Sequence, residues 1–361
     1  PPAQQARRMS AAGYRPVLLD SAELSVEQDA RGHSLLRSAS VLGAYPERLS
    51  ERLLKWAGEA PERTFIARRD ASGAWRRISY REALAHARGI GQALLERGLS
   101  AERPLVILSE NDLEHAMLAL AALHVGVPFA PVSPAYSLVS QDLGKLRYIL
   151  RLLTPGLVFV SDGARYAKAI AAAPPDVELA VGAAPASGPT AMVDAAHAAI
   201  RPDAVAKFLL TSGSTGMPKA AIQTQRMLAS NLQMVVDCLP FLQHEPPVLV
   251  DWLPWNHVFG GNHNFGITLY NGGTLYIDEG KPTPQLIGET IRNLREIAPT
   301  VYFNVPRGFE ELVPYLQREP ALRKHFFSRL KMLFFAGAGL AQPVLDAIDA
   351  LAVQECGERI L

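Results

Sequence analysis

The sequence predicts an α/β protein of mostly parallel sheets sandwiched by helices, in two or more lobes. Three observations carry this. Short apolar runs such as PLVILS (104–109) and GLVFVS (156–161) lack polar alternation, which marks strands buried on both faces. Helical patterns separate those runs, as in parallel βαβ units. At 361 residues the chain exceeds one ordinary core, and its 48% hydrophobic and 20% charged residues are the composition of a soluble globular protein.

Taken in order, residues 1–45 show weak periodicity and are expected to form a surface arm, followed by a first lobe over 46–200 and a second over 201–361. A helix is expected near 49–58. FIARRDASGAWRRISY (65–80) alternates apolar and polar residues on both sides of Asp70-Ala71-Ser72-Gly73, the pattern of a hairpin with a glycine-containing turn. Ser79 then precedes a helix to about Arg97. A strand at 104–109, a helix at 112–124, a strand at 128–131, a helix around 141–152 and a strand at 156–161 complete the first alternation. Residues 171–190, rich in alanine, proline and glycine, read as a connection near the edge of this lobe. Alternation resumes with strands at 205–210 and 220–224, a helix over about 225–239, and strands at 247–253, 273–277, 300–304 and 331–336.

Charge and cysteine usage exclude several classes. Lys and Arg number 36 against 35 Asp and Glu, a net charge of +1, so no long-range field grips nucleic acid or an anionic membrane. Any phosphate recognition is local. Cys238 and Cys356 are the only two cysteines, which argues against a disulfide scaffold or a four-ligand zinc site and fits a reducing cytoplasm. The first sixteen residues contain no apolar segment of the secretory type. The most apolar stretch, 117–132, is broken by His124, Gly126, Pro128 and Pro131, and reads as a buried helix followed by a strand.

The chemistry concentrates in TSGSTGMPKA (211–220), which follows the apolar run Phe208-Leu209-Leu210. Glycine-rich loops let backbone N–H groups converge on phosphate oxygens, and hydroxyls with a lysine add donors and charge. A Walker loop places its lysine directly after the last glycine and then opens a helix. Here Met217 and Pro218 intervene before Lys219 and a β-like segment follows. A clamp between two strands, closing over nucleotide phosphates, fits better than a P-loop kinase or GTPase. A ligand-free Gly/Ser turn is the plain alternative, and other segments weigh against it.

Those segments are SENDLEHAMLALAALHVGVPFAPVSPAYS (109–137), WLPWNHVFGGNHNFG (252–266), APTVYFNVPRGFEEL (298–312) and FFAGAGLAQPVL (334–345). With the loop, and in this order, they resemble the ANL superfamily of adenylate-forming enzymes: acyl- and aryl-CoA synthetases, peptide-synthetase adenylation domains and luciferases. The finer likeness is to bacterial feruloyl-CoA synthetases. The resemblance implies the large N-terminal domain of that fold, with Thr211, Ser212, Gly213, Ser214, Thr215, Gly216 and Lys219 around the phosphates of ATP and the Thr215 hydroxyl also near Mg²⁺. Lys219, His257 and Thr215 would be the catalytic residues. His257 would sit at the mouth of an acyl pocket walled by Phe259, Asn262 and His263, with Tyr302 and Asn304 adding polar groups. Gly337, Ala338 and Gly339 would lie against adenine. The implied chemistry is attack of a carboxylate oxygen on the α-phosphorus of ATP, then displacement of AMP by the coenzyme A thiolate, with no covalent enzyme nucleophile.

Each residue has a simpler reading. His257 is equally a hydrogen-bonded loop histidine, Phe259 core filler, and Asn262-His263 turn residues. The six-residue spacing of His257 and His263 fits no zinc site. The adenine turn reads Gly-Ala-Gly-Leu where alanine and proline usually close it. The family's later segments, with a magnesium-holding glutamate, a ribose-binding aspartate and a small mobile domain carrying a lysine, match nothing up to Leu361. The sequence is therefore expected to represent a domain incomplete for turnover, with exposed apolar surface that favours dimer formation. The expected acid is a hydroxycinnamate such as ferulate. A fatty acyl-CoA synthetase, a carrier-loading adenylation domain, a non-catalytic nucleotide-binding module and a kinase-like phosphotransferase are the alternatives.

Overall fold

The computed structural model describes residues 12–21, 23–212 and 216–361. An N-terminal hairpin pairs β1 (Leu24–Gln28) with β2 (Ser34–Ser38). It stands out from the body with every side chain exposed. The surface arm expected over 1–45 thus contains a hairpin that weak periodicity did not announce.

The next hairpin follows the sequence closely. β3 (Thr64–Arg69) and β4 (Trp75–Ser79) pair antiparallel across a turn in which Gly73 has φ +83°, a conformation that a side chain resists. Ser79 caps the helix Tyr80–Glu96 in a reciprocal box with Glu82, so the first free N–H groups of the helix are bonded. β5 (Leu105–Leu108), β6 (Phe129–Pro131) and β7 (Leu157–Val160) are buried along their whole length, which explains their unbroken apolar runs. The helix Leu113–Val125 packs over them. It starts at the Asp112 cap and stops at Gly126, φ +73°.

Residues 171–190 hold more than a connection, since β8 (Glu178–Val181) adds a parallel strand at the sheet edge. β9 (Val205–Ser212) and β10 (Pro218–Thr224) close the opposite edge. The resulting six-stranded sheet runs β10-β9-β6-β5-β7-β8, parallel except for the antiparallel β9–β10 pair. β11 (Val248–Asp251) and β12 (Thr274–Ile277) join β3 and β4 in a four-stranded sheet, and β13 (Val301–Asn304) pairs in parallel with β14 (Met332–Phe335). Both larger sheets take strands from either side of residue 200, where a lobe boundary was expected. No helix among the described residues is long and apolar enough to cross a membrane.

Candidate functional site

The glycine-rich segment lies at the tip of the β9–β10 hairpin. Lys219 pairs with Thr211 and Pro218 with Ser212 at the end of the β9–β10 ladder. Gly213, Ser214 and Thr215 lie outside the described residues. Gly216 has φ +83° with open space where a Cβ would stand, so conformation and not crowding calls for glycine. Thr211 and Lys219 are both exposed beside it.

The second part of the site is a π-helix, Val258–Asn264, opened by His257 at its N-cap. His257 is exposed and its backbone N–H donates to the Pro254 carbonyl at 3.1 Å. The π-turn presses against the preceding WLPW segment. A Cβ on Gly260 would come within 2.6 Å of the Pro254 oxygen, and one on Gly261 within 2.9 Å of the Lys207 amine. Asn111, in the loop after β5, fixes that segment, donating to the Leu253 carbonyl at 2.9 Å and accepting from Trp255 N–H at 3.1 Å.

Phe259 and His263 stand 5.6 Å apart, ring to ring, on the π-helix. Phe303 of β13 and Phe334 of β14 complete an aromatic wall, with His263 4.8 Å from Phe303 and 5.9 Å from Phe334. Burial holds the His263 ring below the usual histidine pKa, so it is neutral at pH 7. Its Nδ1 lies 2.9 Å from Asn264 Oδ1; an N–H donated there leaves Nε2 as an acceptor. Phe303 and Phe334 were not expected at the site.

Tyr302 and Asn304 do not join this wall. Adjacent residues of a strand face opposite ways, so Phe303 turns towards His263 while its neighbours turn away. Asn304 donates to the Tyr302 hydroxyl at 3.1 Å and accepts from Trp252 Nε1 at 3.2 Å, and the Tyr302 ring packs on Phe309 and Phe326. Asn262 is also engaged elsewhere, accepting from Lys207 Nζ at 3.0 Å and donating to Gln223 Oε1 at 3.0 Å. Gly337, Ala338 and Gly339 form an exposed turn directly after β14, where Gly337 has φ +93°. Ala336 N–H donates to the Asn304 carbonyl at 3.3 Å, which sets that turn against the end of β13.

Hairpin tip, π-helix and glycine turn thus stand at the carboxyl ends of strands drawn from separate sheets, where open α/β folds bind ligands. The sequence matches the family described as AMP-binding enzyme over residues 53–357. The chain belongs to that family. As an AMP-binding enzyme of the adenylate-forming superfamily it is 28% identical over 217 residues to 2-succinylbenzoate--CoA ligase of Escherichia coli (strain K12), covering 58% of this chain and 42% of that protein. It is 24% identical over 292 residues to 4-chlorobenzoate--CoA ligase of Arthrobacter sp, covering 76% of this chain and 50% of the relative. The chain therefore spans about half the length of these curated relatives. ATP-bound MatB from Rhodopseudomonas palustris superposes with a TM-score of 0.63 at 24% identity, over 87% of this chain and 58% of the other. VinN gives 0.66 at 19% identity, over 85% and 72%. These likenesses show the fold, an α/β architecture shared with those proteins.

Proposed function

We propose that this chain is the ATP- and acid-binding domain of an AMP-forming acid–thiol ligase, activating a hydroxycinnamic acid such as ferulate for transfer to coenzyme A. The observation that carries this reading is that the β9–β10 hairpin, the π-helix after β11 and the glycine turn after β14 all follow the carboxyl ends of strands, with the aromatic wall formed between the last two. Two curated relatives named as CoA ligases of aromatic acids support it.

In this reading the N–H groups, hydroxyls and Lys219 of the 211–219 segment hold the β- and γ-phosphates, and Thr215 helps to hold Mg²⁺. The exposed Lys219 and the open space around Gly216 suit a bulky polyanion. His257 stands at the mouth of the pocket, and Phe259, Phe303 and Phe334 stack on the acid's ring. With Asn262, Tyr302 and Asn304 occupied elsewhere, His263 is the polar group that meets a phenol, because a buried hydroxyl needs a partner. Gly337 to Gly339 lie against adenine. A carboxylate oxygen attacks the α-phosphorus, pyrophosphate leaves, and a thiolate displaces AMP. Positioning and charge neutralisation are what the chain supplies.

Isothermal titration with ferulate and with octanoate tests the pocket, and tighter octanoate binding removes the phenolic reading. Pyrophosphate exchange into ATP tests the reaction class. Exchange that depends on an aromatic acid supports adenylation; formation of ADP assigns a kinase.

A further inference from the structure

Lys207 lies in β9 within the otherwise apolar run Val205–Leu210, and is 3% exposed. Its ammonium donates to the Trp255 carbonyl at 3.3 Å and to Asn262 Oδ1 at 3.0 Å, and it stands 5.5 Å from the centre of the Phe129 ring. Asn262 passes the contact on to Gln223 at 3.0 Å. Gln223 is also the residue paired with Lys207 across the β9–β10 ladder. The circuit closes on itself. A strand of the phosphate hairpin, the segment before His257 and the π-helix carrying Phe259 and His263 are thereby joined through one amine.

A buried lysine without a carboxylate partner is costly to keep for packing alone, since a leucine or methionine would fill the same space without desolvating a charge. Among the described residues no carboxylate pairs with it. Beside it lies a cavity of about 30 Å³, room for one or two waters, whose lining includes His115 and Trp255.

We propose that Lys207 is a positioning residue that couples the phosphate hairpin to the acid pocket, so that ligand binding at one favours binding at the other. This rests on the function proposed above. Neither ligand touches the amine. It acts through Asn262, Gln223 and Trp255, holding the π-helix at one height relative to β9 and β10. Desolvation alone lowers the Lys207 pKa, to about 7, so the number of its donors changes near neutrality. His115, the other titratable side chain lining the cavity, is lowered to about 4 chiefly by burial and stays neutral throughout that range.

The test is a coupling measurement. Ferulate affinity is determined by titration calorimetry with and without the α,β-methylene analogue of ATP, in wild type and in K207M, K207R and Q223A, from pH 6 to 8.5. A coupling of roughly tenfold is expected in wild type, falling as pH rises through 7 as the ammonium loses a proton. In K207M and Q223A it falls to about twofold or less. K207R keeps it and shows no pH dependence, because guanidinium does not titrate here. A lysine that only fills space would leave the pH profile unmoved. Should K207M not fold, Q223A, half-buried on β10, decides by the same readout. Equal coupling in wild type and Q223A, or none in wild type while both ligands bind, overturns the proposal alone. A wild-type chain that binds neither ligand overturns the function reading and this proposal together.

Discussion

The β9–β10 hairpin and the π-helix lie side by side at the site but are built on opposite terms. At Gly216, a side chain would meet none of the described residues; at Gly260 of the π-helix it would meet backbone at once. At the first the described neighbours leave room, and at the second there is none. Glycine thus serves the two elements for different reasons, a positive φ at Gly216 and close backbone approach at Gly260.

Substitutions sharpen this contrast. The largest effect is expected at Phe303, 3% exposed at the centre of the aromatic wall. F303A should cost about 3–5 kcal/mol of stability and weaken any aromatic acid, measured by chemical unfolding and by titration. Retained stability would show that the wall is loosely packed. G260A should follow at about 3 kcal/mol, because the WLPW carbonyls cannot move away from the added methyl. K219A should leave the melting temperature alone and weaken ATP about tenfold, the worth of one charge-assisted contact. A lower melting temperature would assign Lys219 to the fold instead. G216A pays only for its positive φ, about 1 kcal/mol, and equal losses at 216 and 260 would erase the distinction between the two elements.

The smallest effect is conditional on pH. Asp251, wholly buried at the end of β11, has its pKa raised from 3.8 to about 7, first by desolvation. The folded carboxyl keeps its proton where the unfolded one has released it. Its contribution to stability is thus complete below pH 4 and lost as pH rises towards 7. D251N should melt a few degrees above wild type at pH 8 and level with it near pH 4. Parallel melting curves across that range would count against the assignment.

The hairpin is legible in the sequence because its determinants are contiguous. Apolar strand, hydroxyls, glycines, Pro218 and Lys219 follow one another in ten residues, and backbone geometry does the rest. The wall is not, because it is assembled from three elements and hinges on strand parity. In VYFN all four residues are buried, so no polar alternation tells which of Tyr302 and Phe303 faces the π-helix. A lysine inside the apolar run VAKFLL is a visible oddity, yet its partners Asn262 and Gln223 lie 55 and 16 residues away in sequence. The β1–β2 hairpin escapes notice for another reason: it has no buried face, so the apolar rhythm that reveals strands elsewhere is weak there.

The π-turn has a practical corollary for repacking this wall, and for altering acid preference if the proposed function holds. Because Phe259 and His263 sit ring against ring, enlarging one displaces the other, and single-site libraries at either position will mostly sample clashes. Paired replacement of the two, with 260 and 261 left untouched, is the shortest mutational route to a differently packed wall.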